Sequence, residues 1–220
     1  MKCLKHLSFQ PCKMDPTDKA ILVSLYISSL DPTQAPLERI RTRFPLPKDI
    51  YNNRIEDLVS KGLVEKNTDR LSFIGRDAIK VVLVGGVFDL IHPGHIRTLL
   101  GARSHGDVLI VVIARTSTAL KLKKYRQIYH DEDLRRELVS SLSFVDLAVI
   151  GRESSLYDTV EFIKPDIIAL GYDQTHSEKE IAENCRKRNL NVRVIRLNTP
   201  VPKIKSSKIK EELGESIYGI

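Results

Sequence analysis

The chain lacks the features that mark exported and membrane-spanning proteins. Its three cysteines, Cys3, Cys12 and Cys185, form no Cys-x-x-Cys pair and cannot all pair with one another, so free thiols in a reducing compartment are expected. The best candidate for a membrane span, residues 20–30, is short and is interrupted by serines and a tyrosine. The first residues contain no signal-peptide core. These absences predict a cytoplasmic protein without membrane segments.

Charge of neither sign dominates any long segment. The chain has 35 Lys and Arg against 28 Asp and Glu, a formal net charge of +7, and the excess is not collected in a polybasic tail. Two short basic groups are more telling. They are Lys121, Lys123, Lys124 and Arg126, and Lys203, Lys205, Lys208 and Lys210. Such groups can bind the phosphates of an anionic ligand, but for any single lysine a solvated surface position is an equally good interpretation.

The most informative segment is 80–95. It contains the apolar, β-branched run 81–84, the glycine pair Gly85-Gly86, and the group His92-Pro93-Gly94-His95. The run predicts a buried strand, and a proline suits the first turn of a helix, where its missing N–H costs nothing. Glycines let a polyphosphate approach the backbone, a helix N-terminus supplies oriented N–H groups, and two imidazoles can donate to phosphate oxygens. The segment therefore predicts a phosphate site.

Two other interpretations of this segment stay open. A glycine pair at the end of a strand is often only a turn, and His92, His95 and Asp89 could share a zinc ion. The zinc interpretation lacks a fourth ligand and a nearby cysteine, and Asp89 is equally well explained as a turn residue. The order of strand, glycines, histidines and amphipathic helix favours a nucleotide pocket at the carboxyl edge of a parallel sheet.

Residues 79–220 alternate between strand and helix patterns. After the first strand, strands are predicted at 108–114, 147–150, 167–170 and 192–197, and helices at 131–142, 156–163 and 177–188. Five strands joined by helices predict a doubly wound, parallel α/β sheet with the strand order 3-2-1-4-5. In that order the loops after strands one and four face each other, so residues 85–95 and 171–174 would share one crevice.

A smaller domain is predicted at 15–78, after a tail at 1–14. Helical patterns lie at 16–30, 36–44 and 48–61, and two short strands follow at 63–66 and 70–74. This order resembles the winged helix-turn-helix family, whose third helix enters the DNA major groove. The resemblance would turn Tyr51, Asn52, Asn53 and Arg54 towards the bases. Acidic residues on the same helix argue against DNA binding, and a role in dimerisation or docking stays open.

The phosphate segment also carries a resemblance to a known family. Gly85-Gly86-Val87-Phe88-Asp89 followed by His92-Pro93-Gly94-His95 resembles the signature of the cytidylyltransferase-like nucleotidyltransferases. Segments 107–115, 134–139 and 164–174 resemble the archaeal-type FAD synthases within that superfamily, and the resemblance covers about 80–209. One position departs from the pattern. Val87 stands where the family usually has threonine, so a hydroxyl that would contact phosphate is missing and only the backbone can replace it.

The resemblance implies an enzyme that transfers AMP from ATP to FMN and releases FAD and pyrophosphate. It implies catalytic roles for His92, His95 and Lys123. The implied nucleotide-binding residues are Gly86, Val87, Phe88, His92, Pro93, Gly94, His95, Arg135, Asp173, Ser206 and Ser207. Mg²⁺ would accompany the triphosphate, held mainly by substrate oxygens, so no protein metal ligands are expected. Asp173 is otherwise explained as a turn residue, and the serines as helix caps.

Two rival functions and the oligomeric state stay open. One rival keeps the chemistry and changes the substrates, for example to CTP with glycerol 3-phosphate. The other is a DNA-binding regulator whose C-terminal domain senses a nucleotide without reacting it. The valine at position 87 is compatible with the regulator, whereas the intact histidine pair argues against it. A homodimer is compatible with either function.

Overall fold

The computed structural model describes residues 14–122, 128–153 and 155–198, and the chain divides into two compact units, Met1–Ala78 and Ile79–Ile220. In the first unit the helices are α1 (Pro16–Leu30), α2 (Pro36–Arg41), α3 (Lys48–Ser60) and α4 (Phe73–Asp77). In the second unit the elements are β1 (Val81–Gly86), α5 (Pro93–Arg103), β2 (Val108–Ile113), α6 (Thr116–Leu122), α7 (Glu132–Ser140), β3 (Leu147–Ile150), α8 (Leu156–Ile163), β4 (Ile167–Leu170), α9 (Glu178–Arg186) and β5 (Arg193–Arg196).

The three predicted helices of the first unit are present, although α2 and α3 end earlier than predicted. The Asp15 carboxylate caps α1 by accepting hydrogen bonds from the N–H groups of Thr17 and Asp18, and Pro16 occupies the first helical position. Helix α3 is followed by Gly62, whose φ of 71° favours glycine and ends the helix. These local signals explain why the boundaries of α1 could be predicted closely.

The second strand of the predicted hairpin, 70–74, is wrong. The Ser72 hydroxyl accepts a hydrogen bond from the N–H of Gly75 and starts α4, so Phe73 and Ile74 are helical. Of the hairpin, one antiparallel bridge between Val64 and Leu71 is present. The alternation of apolar and polar residues suggested a strand, but a serine at an N-cap position outweighs so short a pattern.

The orientation predicted for α3 is also wrong in part. Tyr51, expected to face DNA bases, is 8% exposed, and burial raises the pKa of its phenol to about 12. The Arg54 guanidinium donates to the carboxylate of Asp18 at 3.0 Å, which ties it to α1. Of the four residues predicted to approach the bases, Asn52 and Asn53 are the exposed pair. The helix therefore presents amides rather than a cationic surface at these positions.

The sheet of the second unit confirms the predicted architecture. Its five strands are all parallel and lie in the order β3-β2-β1-β4-β5. Strands β1 and β2 form its centre, and every residue of β2 is buried. Helix α6 was not predicted from the sequence, where the segment after β2 was noted only for its basic residues. No helix within the described residues is long and apolar enough to cross a membrane.

Three aspartates fasten the amino edge of the sheet. Asp107, Asp146 and Asp166 precede β2, β3 and β4, and each accepts a hydrogen bond from a backbone N–H in, or directly before, a neighbouring strand. The bonds run from Lys80 N to Asp107 (2.8 Å), from Leu109 N to Asp146 (2.7 Å) and from Val81 N to Asp166 (2.7 Å). These bonds fix the register of the strands at the amino edge of the sheet. The loops at the opposite, carboxyl edge are the place where a ligand site is expected in such a sheet.

Candidate active site

The backbone bends sharply where β1 ends. Phe88 has a left-handed backbone with a φ of 54°, and its ring lies over Gly86. A Cβ on Gly86 would lie 2.6 Å from a ring carbon of Phe88, so a larger residue would displace the ring. Val87 lies between them and is partly exposed. The glycine and the aromatic residue of the motif therefore fix the shape of the bend together.

His92 caps α5 with its ring. Its Nδ1 accepts a hydrogen bond from the N–H of Gly94 at 3.1 Å, and Pro93 occupies the first helical position. An imidazole nitrogen that accepts cannot carry a proton, so the neutral ring carries its proton on Nε2. Burial lowers the pKa of His92, and the negative charge of Asp173 partly opposes that shift. The ring is therefore neutral at pH 7 with a donor on Nε2.

His95 stacks against His92 and completes a pair of parallel rings. The two ring centroids are 3.9 Å apart with an interplanar angle of 25°. The ring of Phe88 contacts His95 edge to face, at a centroid distance of 5.2 Å. Two imidazoles are thus held side by side at the N-terminus of α5, where backbone N–H groups and the helix dipole attract anions.

Asp89 joins the bend to the segment before α7. Its carboxylate accepts hydrogen bonds from the backbone N–H groups of Tyr129 (3.1 Å) and His130 (2.9 Å), and the His130 ring lies 3.3 Å from it. The Asp89 side chain is 5% exposed. Both carboxylate oxygens accept hydrogen bonds from residues 129–130, so Asp89 does more than form a turn: it holds the segment before α7 against the bend.

Arg135 donates hydrogen bonds to three backbone carbonyls near the same bend. Its guanidinium is fully buried and donates to the carbonyls of Val87 (2.8 Å), Ala114 (2.7 Å) and His130 (3.0 Å). Another of its N–H groups donates to the Thr116 hydroxyl at 3.0 Å. The guanidinium therefore lies within the protein, and a direct contact with a nucleotide phosphate would require these bonds to break. Residues 85–95, 114–116 and 129–135 form what we call the histidine side of the crevice.

The opposite side of the crevice, the turn side, consists of residues 171–178. Gly171 to Gln174 form a turn in which the N–H of Gln174 donates to the carbonyl of Gly171 at 3.2 Å. The Gln174 side chain donates to the carbonyl of Gly85 at 2.8 Å and accepts from the N–H of Gly171 at 3.2 Å. The loop after β4 is therefore bonded to the carboxyl end of β1, the neighbour that the strand order predicts for β4.

Arg196 fastens the turn side from β5. Its guanidinium donates to the carbonyls of Gly171 (3.0 Å), Gln174 (2.8 Å) and His176 (2.7 Å). It also pairs with the Glu178 carboxylate at 2.9 Å. The exposed carboxylate of Asp173 lies within this fastened turn, close enough for its charge to act on His92. The structure thus brings Asp173 and the histidines to one place.

The remaining predicted site residues divide into two groups. Lys123, Ser206 and Ser207 lie outside the described residues. Gly86, Val87, Phe88, Pro93 and Gly94 lie with the histidines in the bend and at the start of α5.

Three contacts were not anticipated from the sequence. Gln174 directly follows Asp173 in the segment 164–174, but its residue type does not indicate that its amide bonds Gly85 and Gly171. The partners of Asp89 are 40 and 41 residues away, and Arg196 resembles any polar residue of an edge strand. Contacts of these kinds depend on tertiary packing and leave no local pattern.

Comparison with known proteins agrees with this geometry. A family model described as cytidylyltransferase-like matches residues 83–212. An FAD synthase of Aciduliprofundum boonei is 53% identical over 116 residues, which are 53% of this chain and 76% of the relative. An FAD synthase of Picrophilus torridus is 44% identical over 126 residues, covering 57% of this chain and 89% of the relative.

A solved structure from a third archaeon shares the fold. It is described as the lipopolysaccharide core biosynthesis protein from Thermoplasma volcanium, and it superposes with a TM-score of 0.53 at 39% identity. The match covers 56% of this chain and 98% of that chain. The sheet order, the two-histidine helix start and the matched family model lead to one conclusion: the chain belongs to the cytidylyltransferase-like family.

Proposed function

We propose that the protein transfers the AMP group of ATP to FMN, forming FAD and pyrophosphate. The observation that carries the proposal is the stacked pair of His92 and His95 at the N-terminus of α5, opposite Asp173. The names of the similar proteins, FAD synthases at 44% and 53% identity, support the choice of ATP and FMN over other substrate pairs. The free thiols expected from the cysteine pattern support a cytoplasmic location for the reaction.

The reaction exchanges one phosphorus–oxygen bond for another. A phosphate oxygen of FMN attacks the α-phosphorus of ATP, and the bond from that phosphorus to the α,β-bridging oxygen breaks. The electron pair of the broken bond leaves on pyrophosphate. Because the FMN phosphate is already an anion, the reaction needs in-line positioning and stabilisation of charge more than a general base.

The two imidazoles supply that stabilisation. His92 is neutral with a donor on Nε2, so it can hydrogen-bond a phosphate oxygen without giving up its cap on α5. His95 is held beside it, so both rings can serve neighbouring α- and β-phosphate oxygens. Charge on those oxygens increases as pyrophosphate leaves, and by the usual size of such donors each ring contributes about 2 to 4 kcal/mol to the lowering of the barrier.

Other residues bind the nucleotide or hold the site. Asp173 contacts the base or ribose, and the bend at Gly86 accommodates the phosphates through its backbone. Lys123 neutralises phosphate charge, and Ser206 and Ser207 bind phosphate; these three roles rest on the family resemblance. Mg²⁺ enters as the complex with ATP, coordinated mainly by phosphate oxygens. Arg135 acts as a positioning residue, since its guanidinium is fully buried.

The test uses four substrate pairs. Purified protein is incubated with Mg²⁺, either ATP or CTP, and either FMN or glycerol 3-phosphate, while pyrophosphate release is followed and FAD is separated by chromatography. We expect pyrophosphate and FAD in equal amounts from ATP with FMN. Product from CTP with glycerol 3-phosphate would favour the cytidylyltransferase, and no turnover with any pair would favour the nucleotide-sensing regulator.

DNA binding and self-association of the first unit stay predictions. With Tyr51 buried and Arg54 bonded to Asp18, a DNA complex would depend on Asn52 and Asn53 and on phosphate contacts made elsewhere. A gel shift of the full chain at low salt tests this, because phosphate contacts weaken steeply with added salt. Light scattering of the same sample measures whether the protein forms a dimer.

A further inference from the structure

The central strand β1 is paired unequally with its two neighbours. Its ladder with β2 runs over six residue pairs, from Val81 with Val108 to Gly86 with Ile113. Its ladder with β4 runs over two pairs, Val82 with Ile167 and Leu83 with Ile168. Towards their carboxyl ends β1 and β4 therefore separate, and the crevice between the histidine side and the turn side opens at that point.

The Gln174 carboxamide spans this gap. Its Nε2 donates to the carbonyl of Gly85 on β1, and its Oε1 accepts from the N–H of Gly171, which directly follows β4. One partner can only accept and the other can only donate, so the orientation of the amide is fixed by its partners. The side chain thus supplies a hydrogen-bonded link where the backbone ladder ends.

Other residues at this position would lose that link. A glutamate would keep the bond to the Gly171 N–H, but its carboxylate would face the Gly85 carbonyl and repel it. A methionine would keep the length of the side chain and lose both bonds. Arg196 would still hold the turn together from β5, since it bonds the carbonyls of Gly171 and Gln174. The turn would therefore keep its internal shape but lose its attachment to β1.

We propose that Gln174 is a positioning residue for nucleotide binding, which sets the distance between Asp173 and the histidines. The inference rests on the proposed function, because it assigns Asp173 to the nucleotide. A nucleotide whose phosphates are held by His92 and His95 can bring its base or ribose to Asp173 only when the turn side stays at its present distance from β1. Loss of the link weakens nucleotide binding first and affects the chemical step less, since the imidazoles belong to the other side.

The first test is direct binding of ATP with Mg²⁺ in the absence of FMN, measured by calorimetry. The variants are Gln174→Met, Gln174→Glu and, as the control, Gln34→Met on the exposed surface of the first unit. We expect Gln174→Met to raise the Kd for ATP about tenfold, the size expected for two lost hydrogen bonds, and Gln174→Glu to raise it at least as much. The Gln34 variant is expected to bind like the wild type.

A double-mutant cycle distinguishes a positioning role from a merely structural one, because only the positioning role makes the effects on Kd depend on Asp173. If Gln174 acts by holding Asp173, then Gln174→Met costs little affinity once Asp173→Asn is present, and the two effects on Kd are not additive. In steady state with FMN, we expect Gln174→Met to raise KM for ATP more than it lowers kcat. Circular dichroism checks that each variant is folded, and Gln174→Glu, which keeps one bond, is the second variant if Gln174→Met is unstable.

The outcomes separate the two proposals. A wild type that does not bind ATP rejects the proposed function. A wild type that binds ATP, together with a Gln174→Met variant whose Kd matches that of the Gln34 control, rejects the role of Gln174 alone. Fully additive effects of Gln174→Met and Asp173→Asn also reject it. A tenfold rise that disappears in the Asp173→Asn background supports it.

Discussion

Each side of the crevice is held by an arginine that donates to three backbone carbonyls, but the two arginines differ in solvent exposure. On the histidine side, Arg135 donates to three backbone carbonyls and is fully buried; on the turn side, Arg196 donates to three carbonyls with a side chain that is 30% exposed. A buried guanidinium has no water to replace a lost partner, whereas an exposed one does. The arginine that holds the histidine side is therefore part of the buried core, whereas the arginine that holds the turn side lies at the surface.

The largest difference between the two sides should appear in stability. Arg135→Met leaves the carbonyls of Val87, Ala114 and His130 without their donor, and we expect a loss of about 3 to 5 kcal/mol from the free energy of unfolding of the second unit. Arg196→Met should cost far less, because water can reach the carbonyls that it bonds. Urea unfolding followed by circular dichroism, with hydrogen exchange to resolve the two units, measures both.

Arg135→Lys is the matched control for charge. A lysine keeps the positive charge but cannot bond three carbonyls in a plane, so it should recover only a small part of the lost stability. Equal stabilities for Arg135→Met and Arg196→Met would contradict the distinction between the two sides.

Catalysis should depend more on the histidine side than on the turn side. His92→Asn keeps an acceptor for the Gly94 N–H, since asparagine is a good N-cap, but it removes the Nε2 donor. We expect kcat to fall about 10² to 10³-fold with little change in stability, whereas His92→Ala should lose the same activity and in addition about 1 kcal/mol of stability. His95→Gln should lower kcat by a similar factor. A His92→Asn enzyme with normal turnover would remove the imidazole from the mechanism.

How much of this arrangement could be predicted depends on whether the signal is local. The strand order followed from the alternation of strands and helices, and the start of α5 followed from the His-Pro-Gly-His group. Arg135 was expected at a phosphate because the family resemblance implies a basic clamp there. Its burial depends on the carbonyls of Val87 and Ala114, which lie 48 and 21 residues away along the chain. The first unit shows the same limit, since Tyr51 was assigned to the wrong face of α3.

The two sides should also interact electrostatically, through the charge of Asp173 and the ring of His92. Burial lowers the pKa of His92 below its ordinary value of 6.5, and the Asp173 carboxylate partly opposes this. The unfolded chain therefore takes up the proton first as pH falls, so the stability that neutral His92 contributes is present above pH 6.5 and is lost as pH falls through the lowered pKa. Protonation would also place an N–H on Nδ1 opposite the Gly94 N–H and break the cap on α5.

Removing the opposing charge should move this transition. In Asp173→Asn the pKa of His92 should fall further, so the loss of stability should still begin near pH 6.5 but extend to lower pH than in the wild type. Nuclear magnetic resonance of the His92 ring protons in the ligand-free protein follows the titration directly. An unchanged or higher His92 pKa in Asp173→Asn would show that the two sides do not interact electrostatically.

The smallest effect is expected from a conservative change on the turn side. Arg196→Lys keeps the charge near Glu178 but cannot reach the carbonyls of Gly171, Gln174 and His176 together. Since Gln174 still links the turn to β1, we expect the KM for ATP to rise about two- to fivefold with kcat nearly unchanged, the modest effect usual for partly exposed charged contacts. Steady-state kinetics at saturating FMN measures both constants, with Arg193→Lys on the same strand as the control. A fall in kcat comparable to that of His92→Asn would mean that the turn side takes part in the chemical step, and the comparison between an embedded catalytic side and an attached binding side would then be wrong.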